Sequence, residues 1–330
     1  MKIAIVKLSA MGDIVHAMVA LQYIKQVKPY LEIDWIVEQG FAKILEGNKD
    51  ISHIYPVNLK AIKSDKIQFL TEFKRVKRYA NREYDLVIDA QGLIKSGLVS
   101  KFLGKQRAGF SRSSIREGVA SYFYQHTVEI AYDANTIDRN AKVMSEPLGV
   151  TISKEMILSK KPFLFYSQDS VFEYLSLEKK NVVFVIGSTW ESRNYPKEKF
   201  AKIADALQEN ILILWGSDEE KVRAEWIASH SIYAKVLPKI NLNGLKAIIG
   251  ESDLLIGNDT GPTHIAWGLN IPSITIFGPT PVNRVYETAI NKVVKSHSTV
   301  NHYKLDKNDF SIVDIDEKYI IDTAKALLNA

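Results

Sequence analysis

Apolar positions along this 330-residue chain fall into two spacings that take turns. Short, nearly continuous apolar runs come first: "KIAIV", "EIDWIV", "HIYPV" and "YDLVIDA" in the first half. In the second half they are "NVVFVIG", "ILILWG", "AKVLP", "DLLIG" and "SITIFG". Runs of this length, bounded by turn residues and rich in Val and Ile, read as buried strands. Between them the apolar residues recur every three or four positions, which predicts helices over 13–28, 41–47, 65–82 and 92–104. The same spacing predicts helices over 197–209, 217–230, 242–250 and 262–268. Strands separated by helices imply βαβ units and parallel sheets, and two such series imply two doubly wound α/β domains. The boundary is expected in "SKKPFLFYSQDS", residues 159–170, which carries a proline and a polar cluster. The first domain is therefore taken as 1–165.

Composition changes this picture little. The chain is 46% hydrophobic and 25% charged, ordinary for a globular protein. It has no cysteine, which excludes disulfides and thiolate metal sites and fits a reducing compartment. No apolar run approaches the ~18 residues of a membrane span. The opening "MKIAIVKLSAMGDIVHAMVAL" has the outline of a signal peptide, but Lys7 and Asp13 interrupt it, so it reads as strand, loop and helix.

Charge is more telling. The net +5 divides into 25 basic and 17 acidic residues over 1–165, against 18 and 21 over 166–330. The excess is concentrated between Lys60 and Arg116, with 14 basic and five acidic residues. Such a stretch is either a solvated face or the footprint of a polyanionic partner. Nucleic acid is not the expected partner, because no zinc-finger, RNP or helix-turn-helix signature is present.

Parallel sheets bind ligands at the carboxyl ends of their strands. No G-x-G-x-x-G follows the first strand and no Walker sequence occurs, which weighs against dinucleotide oxidoreductases and P-loop enzymes. The most loaded strand end is "GNDTGPTH", residues 257–264. A helix starting near Pro262 offers free N–H groups and a positive dipole end. Gly261 admits an anion close to the backbone, Thr260 brings a hydroxyl, and His264 lies one turn on, so the turn reads as a pyrophosphate cradle. A strongly capped helix with Asp259 or Thr260 as N-cap is the plainer reading, and it accounts for one polar residue well and four poorly. After "NVVFVIG" stand Ser188, Thr189 and Arg193, hydroxyls and a guanidinium suited to phosphate. After "ILILWG" stand Glu219 and Glu220, which either complement a helix dipole or hold ribose hydroxyls. In the first half, Lys7, Ser9, Gly12 and Asp13 end the first strand, and Asp89 and Gln91 end "VIDA". Asp13 is either a helix N-cap or a general base. Asp314 to Asp316 resembles a metal-binding carboxylate pair, but Asp314 with Glu317 fits a capping box at the start of the last helix. No metal site is expected.

In this order, "VKLSAMGDIVH", "VIDAQGLIKS", "LPKINLNG", "GNDTGPTHIAWGL" and "IFGPT" resemble the bacterial lipopolysaccharide heptosyltransferases over nearly the whole chain. The likeness is strongest to the heptosyltransferase I branch, which adds the first heptose to the inner core. The resemblance implies a GT-B fold: two Rossmann-like, doubly wound parallel-sheet domains facing across a cleft, with the acceptor held by 1–165 and the donor by 166–312. It implies that 313–330 forms a helix packing back on the first domain. It also implies ADP-L-glycero-β-D-manno-heptose as donor, a Kdo sugar of Kdo2-lipid A as acceptor, and inverting transfer without a metal or other cofactor. The place of work would be the cytoplasmic face of the inner membrane, peripherally bound.

By the same resemblance Asp13 falls on the catalytic carboxylate, and Ser188, Thr189 and Arg193 on the donor-phosphate loop. Glu220 falls on the ribose contact, Ile240 on an apolar adenine contact, and Asp259, Thr260, Gly261 and His264 on the donor helix turn. Lys60, Lys63 and Arg116 fall where the family faces its acceptor with basic residues. The sequence departs at Arg193, Asn194, Tyr195 and Pro196, where the family usually has Lys before a Trp-Pro pair. Arginine keeps the charge there but not the point geometry of lysine. The alternatives are heptosyltransferase II or another GT-B nucleotide-sugar transferase, and a non-catalytic nucleotide-binding protein.

Overall fold

The structure is a computed structural model that describes residues 1–61 and 67–330, so the candidate Lys63 lies outside the described residues. The chain divides into two compact units, Met1–Phe165 and Tyr166–Ala330.

The first unit is a six-stranded parallel sheet. Its strands are β1 (Lys2–Val6), β2 (Glu32–Glu38), β3 (His53–Val57), β4 (Leu86–Asp89), β5 (Arg107–Phe110) and β6 (His126–Val128), in the order β3-β2-β1-β4-β5-β6. The helices are α1 (Met11–Val27), α2 (Ile67–Ala80), α3 (Ile94–Leu103), α4 (Thr136–Ser145) and α5 (Lys154–Leu158). Ile3 through Val6 are fully buried, as the central strand of a sheet covered on both faces must be. The stretch expected to be helical at 41–47 is instead a 3₁₀ segment, Gln39–Ile44.

The second unit repeats the plan. Its strands are β7 (Asn181–Val185), β8 (Asn210–Leu214), β9 (Ala234–Val236), β10 (Leu254–Asn258), β11 (Ser273–Phe277) and β12 (Asn291–Lys295), in the order β9-β8-β7-β10-β11-β12. Its helices are α6 (Lys197–Leu207), α7 (Asp218–Ser229), α8 (Leu242–Gly250), α9 (Gly261–Leu269) and α10 (Glu317–Leu328). Renumbered from its own first strand, each sheet has the order 3-2-1-4-5-6. In that order the chain reverses direction beside the first strand, between β1 and β4 and between β7 and β10. These two places are where a doubly wound sheet opens a ligand crevice.

One expectation is corrected here. The segment 313–330 belongs to the second unit, where α10 lies on α6. Ile320 and Ala324 are buried in one cluster with Phe200, Ile203 and Ala204. Glu317 pairs with Lys199 and Lys202, and Tyr195 Oη and Lys199 Nζ both donate to the Ile315 carbonyl. The cap of α10 is also displaced: the carboxylate of Asp316, not Asp314, accepts the Lys318 N–H at 2.9 Å. Asp314 ends the 3₁₀ segment Ser311–Asp314 one turn earlier.

Candidate functional site

At the carboxyl ends of β1 and β4, the polar residues form a brace around Asp13. The Gln91 side-chain oxygen accepts the N–H groups of Leu8 and Ser9, both at 3.0 Å. It thereby fixes the loop that leads into α1. Asp89, fully buried, holds its own loop: one oxygen accepts from Gln91 N and Gly92 N, and the other from Tyr124 Oη at 2.7 Å. Burial raises the Asp89 carboxyl above its ordinary value, and these hydrogen bonds oppose the rise. Gly92 has φ +70°, and a side chain there would collide with Ile115.

Lys7 is buried beside them and donates to the Ala90 carbonyl and to Asn140 Oδ1. Burial lowers its ammonium, while the charges of Asp13 and Asp89 work against that. Asp13 itself sits at the third position of α1, whose N-cap is Ala10. One oxygen accepts the Ala10 N–H at 3.3 Å and the carboxylate is only partly buried. Asp13 is therefore not the N-cap, and most of its hydrogen-bonding capacity is turned outward. His16, one turn on, is buried.

Lys60 is exposed, with its ammonium 5.2 Å from the centre of the Phe41 ring, and Arg116 is exposed.

At the carboxyl ends of β7 and β10 the "GNDTG" turn divides its labour. Asn258 is fully buried and stitches loops together: its Oδ1 accepts Tyr195 N–H and its Nδ2 donates to the Ile186 carbonyl. Asp259 is also turned inward. Its Oδ2 takes the Arg193 guanidinium at 2.8 Å and the Thr280 hydroxyl at 3.2 Å, and its backbone carbonyl accepts from the same Arg193 nitrogen. Its Oδ1 faces His264 Nε2 at 3.4 Å. Burial pushes the Asp259 carboxyl up, but the contact with His264 and the charges of Arg284, His264 and Arg193 outweigh it and hold the group well below the usual carboxylate range.

Thr260 precedes α9, and its backbone N–H donates to Thr263 Oγ1. Gly261 opens the helix with Pro262 behind it, as a helix start free to meet an anion requires. Thr260 and Gly261 are partly exposed, whereas His264 is buried.

The loop after β7 faces this turn. Arg193 ends the 3₁₀ segment Glu191–Arg193 and is mostly buried. Burial lowers its guanidinium; Asp259 opposes that, and the nearby charge of Arg284 adds to it. Four buried polar atoms of the loop have no hydrogen-bond partner among the described residues: Ser188 Oγ, Ser192 Oγ, Arg193 Nε and Asn194 Oδ1. Thr189 is exposed.

Glu220 opens α7 after the Ser217 cap, and its Oε2 accepts the Gly216 N–H at 2.6 Å. Its side chain lies across the end of β7, where even a Cβ on Gly187 would fall 2.0 Å from it. Ile240, half-buried, follows β9.

Three residues of this cluster were not singled out from the sequence: Ser192, Thr280 and Arg284. Arg284 ends the 3₁₀ segment Val282–Arg284 after β11, is partly buried, and makes no hydrogen bond or ion pair among the described residues. With Arg193 already bound to Asp259, it is the guanidinium left over. Its signal in the sequence is faint, an arginine six residues beyond the glycine of "IFGPT".

Residues 73–319 match the family model described as glycosyltransferase family 9 (heptosyltransferase). The chain is 34% identical to lipopolysaccharide heptosyltransferase 1 of Campylobacter coli over 99% of both proteins. It is 31% identical to the Escherichia coli K12 protein of the same name, over 85% of this chain and 88% of that one. The fold superposes on the solved structure titled "E. coli heptosyltransferase WaaC with ADP" with a TM-score of 0.81 and 25% identity, covering 99% of this chain and 100% of the other. The twin doubly wound sheets are those of the GT-B fold. The protein is a glycosyltransferase, and it belongs to glycosyltransferase family 9, the heptosyltransferases.

Proposed function

We propose that this protein is the inner-core heptosyltransferase I, which moves L-glycero-D-manno-heptose from ADP-heptose to a Kdo sugar of Kdo2-lipid A at the inner membrane. The observation that carries the donor half of this reading is the set of unpartnered buried polar atoms on the β7 loop, beside a free helix start and a spare arginine. Each such atom costs about 1–3 kcal/mol while unsatisfied. A pyrophosphate reached by a small adjustment of the loop would accept from the three donors among them, Ser188 Oγ, Ser192 Oγ and Arg193 Nε. In this assignment Thr260, Gly261, Arg193 and Arg284 receive the diphosphate, with Ser188 and Thr189 beside them. Glu220 takes the ribose through its second oxygen, and Ile240 packs on the adenine. Asp259 and His264 hold Arg193 and the turn in place.

The reaction follows from these parts. The Asp13 carboxylate takes the proton from the acceptor hydroxyl. The hydroxyl oxygen forms a bond to the anomeric carbon from the face opposite ADP. The bond from that carbon to the phosphate oxygen breaks, and ADP leaves with the electron pair, so the configuration inverts. The charge gathering on ADP is met by the two guanidiniums and the α9 amino end, donors fixed before the reaction begins. The direct test is a transfer assay with purified protein, ADP-heptose and Kdo2-lipid A. The expected products are ADP and an acceptor heavier by one heptose. Transfer confined to an acceptor that already carries a heptose would give the protein the second step instead.

Two predictions belong to this reading. Arg284→Ala should fold normally, because the side chain makes no hydrogen bond or ion pair among the described residues. It should weaken ADP binding about 10- to 100-fold, the range of a lost charge-assisted hydrogen bond; calorimetric titration with ADP measures it, and an unchanged Kd removes Arg284 from the site. Reversing Lys60 and Arg116 to Glu should raise the acceptor KM and leave the ADP Kd alone. That KM should also climb with salt, since exposed charges are screened over ~8 Å at physiological ionic strength. A KM indifferent to both salt and reversal separates these residues from the acceptor.

A further inference from the structure

Helix α3 is apolar on both sides: Val99 and Leu103 are buried in the core of the unit, and a second apolar row faces outward. Its buried face carries Ser96 and Ser100, whose hydroxyls are turned back on the helix's own carbonyls. Its outward face carries Ile94, Leu98 and Phe102, at 41%, 41% and 39% exposure. They stand four residues apart, so they form one apolar stripe along the outer side. Neighbouring elements widen it. Phe102 meets Phe73 of α2 edge-on at 4.8 Å, and Phe73 stacks with exposed Phe69. On the other side the 3₁₀ segment Gly118–Phe123 lies close to α3, because a Cβ on Gly97 would fall 2.4 Å from the Phe123 ring. That segment adds exposed Val119 and Tyr122.

The rim of this face is basic. Lys74 and Arg78 of α2 and Lys95 and Lys101 of α3 are exposed, and none makes an ion pair among the described residues. Lys77 sits over the Phe73 ring at 4.6 Å. The nearby carboxylate of Glu117 is occupied by the Ile94 N–H. An aromatic and aliphatic stripe edged by unpaired cations is the composition of a surface that enters the headgroup layer of an anionic bilayer. A neutral surface would leave these cations without partners, whereas anionic headgroups pair with the cations while their acyl boundary receives the apolar stripe.

We infer that the outer faces of α3, α2 and the Gly118–Phe123 segment form the docking surface of this protein on an anionic phospholipid bilayer. The inference rests on the reading of a lipid-anchored acceptor and gives it a specific face. Because α3 begins just after the Asp89–Gly92 loop, a bilayer held there lies beside the strand ends that carry Asp13.

The test is flotation of the full-length protein with vesicles lacking any acceptor. Wild type should rise with phosphatidylglycerol–phosphatidylethanolamine vesicles and stay behind with pure phosphatidylcholine. The double variant Ile94→Ser/Leu98→Ser should lose about tenfold of the bound fraction, as expected when two partly inserted aliphatic side chains no longer enter the interface. Lys101→Glu should lower binding further and sharpen its salt dependence. Melting temperature and turnover on a delipidated, soluble Kdo acceptor should be those of wild type in all variants. Equal flotation of the double variant, or no flotation of wild type, overturns the docking face. So does a wild-type dimer in sedimentation velocity that the double variant dissociates, which assigns the face to a second copy. Vesicle binding without any heptose transfer would leave the face standing and remove the functional reading instead. Transfer to the soluble acceptor without vesicle binding does the reverse.

Discussion

Asp13→Asn should give a protein that folds, binds ADP and hardly turns over. The carboxylate sits at the third position of α1, where it accepts one weak backbone hydrogen bond from Ala10. An asparagine oxygen can accept that same bond, so the helix start survives. What it cannot do is take a proton from a sugar hydroxyl. Loss of a positioned general base typically costs ~10²–10⁴ in rate. The loop around it has its own supports, since Gln91 holds Leu8 and Ser9 while Asp89 and Tyr124 hold the next strand end. The expected pattern is a split: kcat falls by orders of magnitude, while the ADP-induced rise in Tm is that of wild type. Near-normal turnover takes Asp13 out of the mechanism. Loss of folding together with turnover makes its helix position its main task.

Nine strands were legible because each is a short run rich in apolar residues; seven of them are mostly buried, while the edge strands β3 and β9 are only partly so. The three that were missed are short or broken by polar side chains: "RAGF" of β5, "HTV" of β6 and "NKVVK" of β12. Two of these lie at sheet edges, where one flank of the strand has no neighbour to demand apolar residues. Helix α4 escaped because "TIDRNAKVMS" shows few apolar positions, although Asn135 caps it and Ile137, Ala141 and Met144 carry its inner face.

The candidate site was legible as places more than as roles. Polar residues after β1, β7, β8 and β10 stand out because nothing in a strand-to-helix turn requires so many of them. Which of them turn inward depends on partners far along the chain. Asp259 meets Arg193 and Thr280, 66 and 21 residues away, and no local pattern announces that. Arg284 is the converse case, since its value lies in making no hydrogen bond or ion pair among the described residues while Arg193 makes both. The place of the last helix was misjudged for a similar reason. An apolar face at Ile320 and Ala324 states only that α10 packs on something, and the deciding contacts are Lys199 and Lys202 against Glu317.

Asp259→Ala should be the most damaging change in the second unit, to stability and to nucleotide binding together. The carboxylate is almost fully buried and carries the Arg193 guanidinium, the Thr280 hydroxyl and the edge of His264. Removing it strands a buried guanidinium, and breaking a buried pair from one side typically costs about 3–5 kcal/mol. For a unit of this size each kcal/mol is worth roughly 2–4 °C, so Tm should fall by about 6–20 °C. The double variant Arg193→Ala/Asp259→Ala should recover part of that loss, because no charge is then left alone. The pH dependence has a definite sign. The folded-state carboxyl lies below the ordinary aspartate value of ~3.9, so its contribution is fully present above that value. It fades as pH falls toward the folded-state value, and the wild-type advantage over Asp259→Ala should shrink only in acid. Nucleotide binding should fail in parallel, since Arg193 and the Thr260–Gly261 turn lose the group that holds them, and ADP should no longer raise the melting temperature. A variant with wild-type Tm and a full ADP response would reduce the "GNDTG" turn to a helix start and move the diphosphate elsewhere.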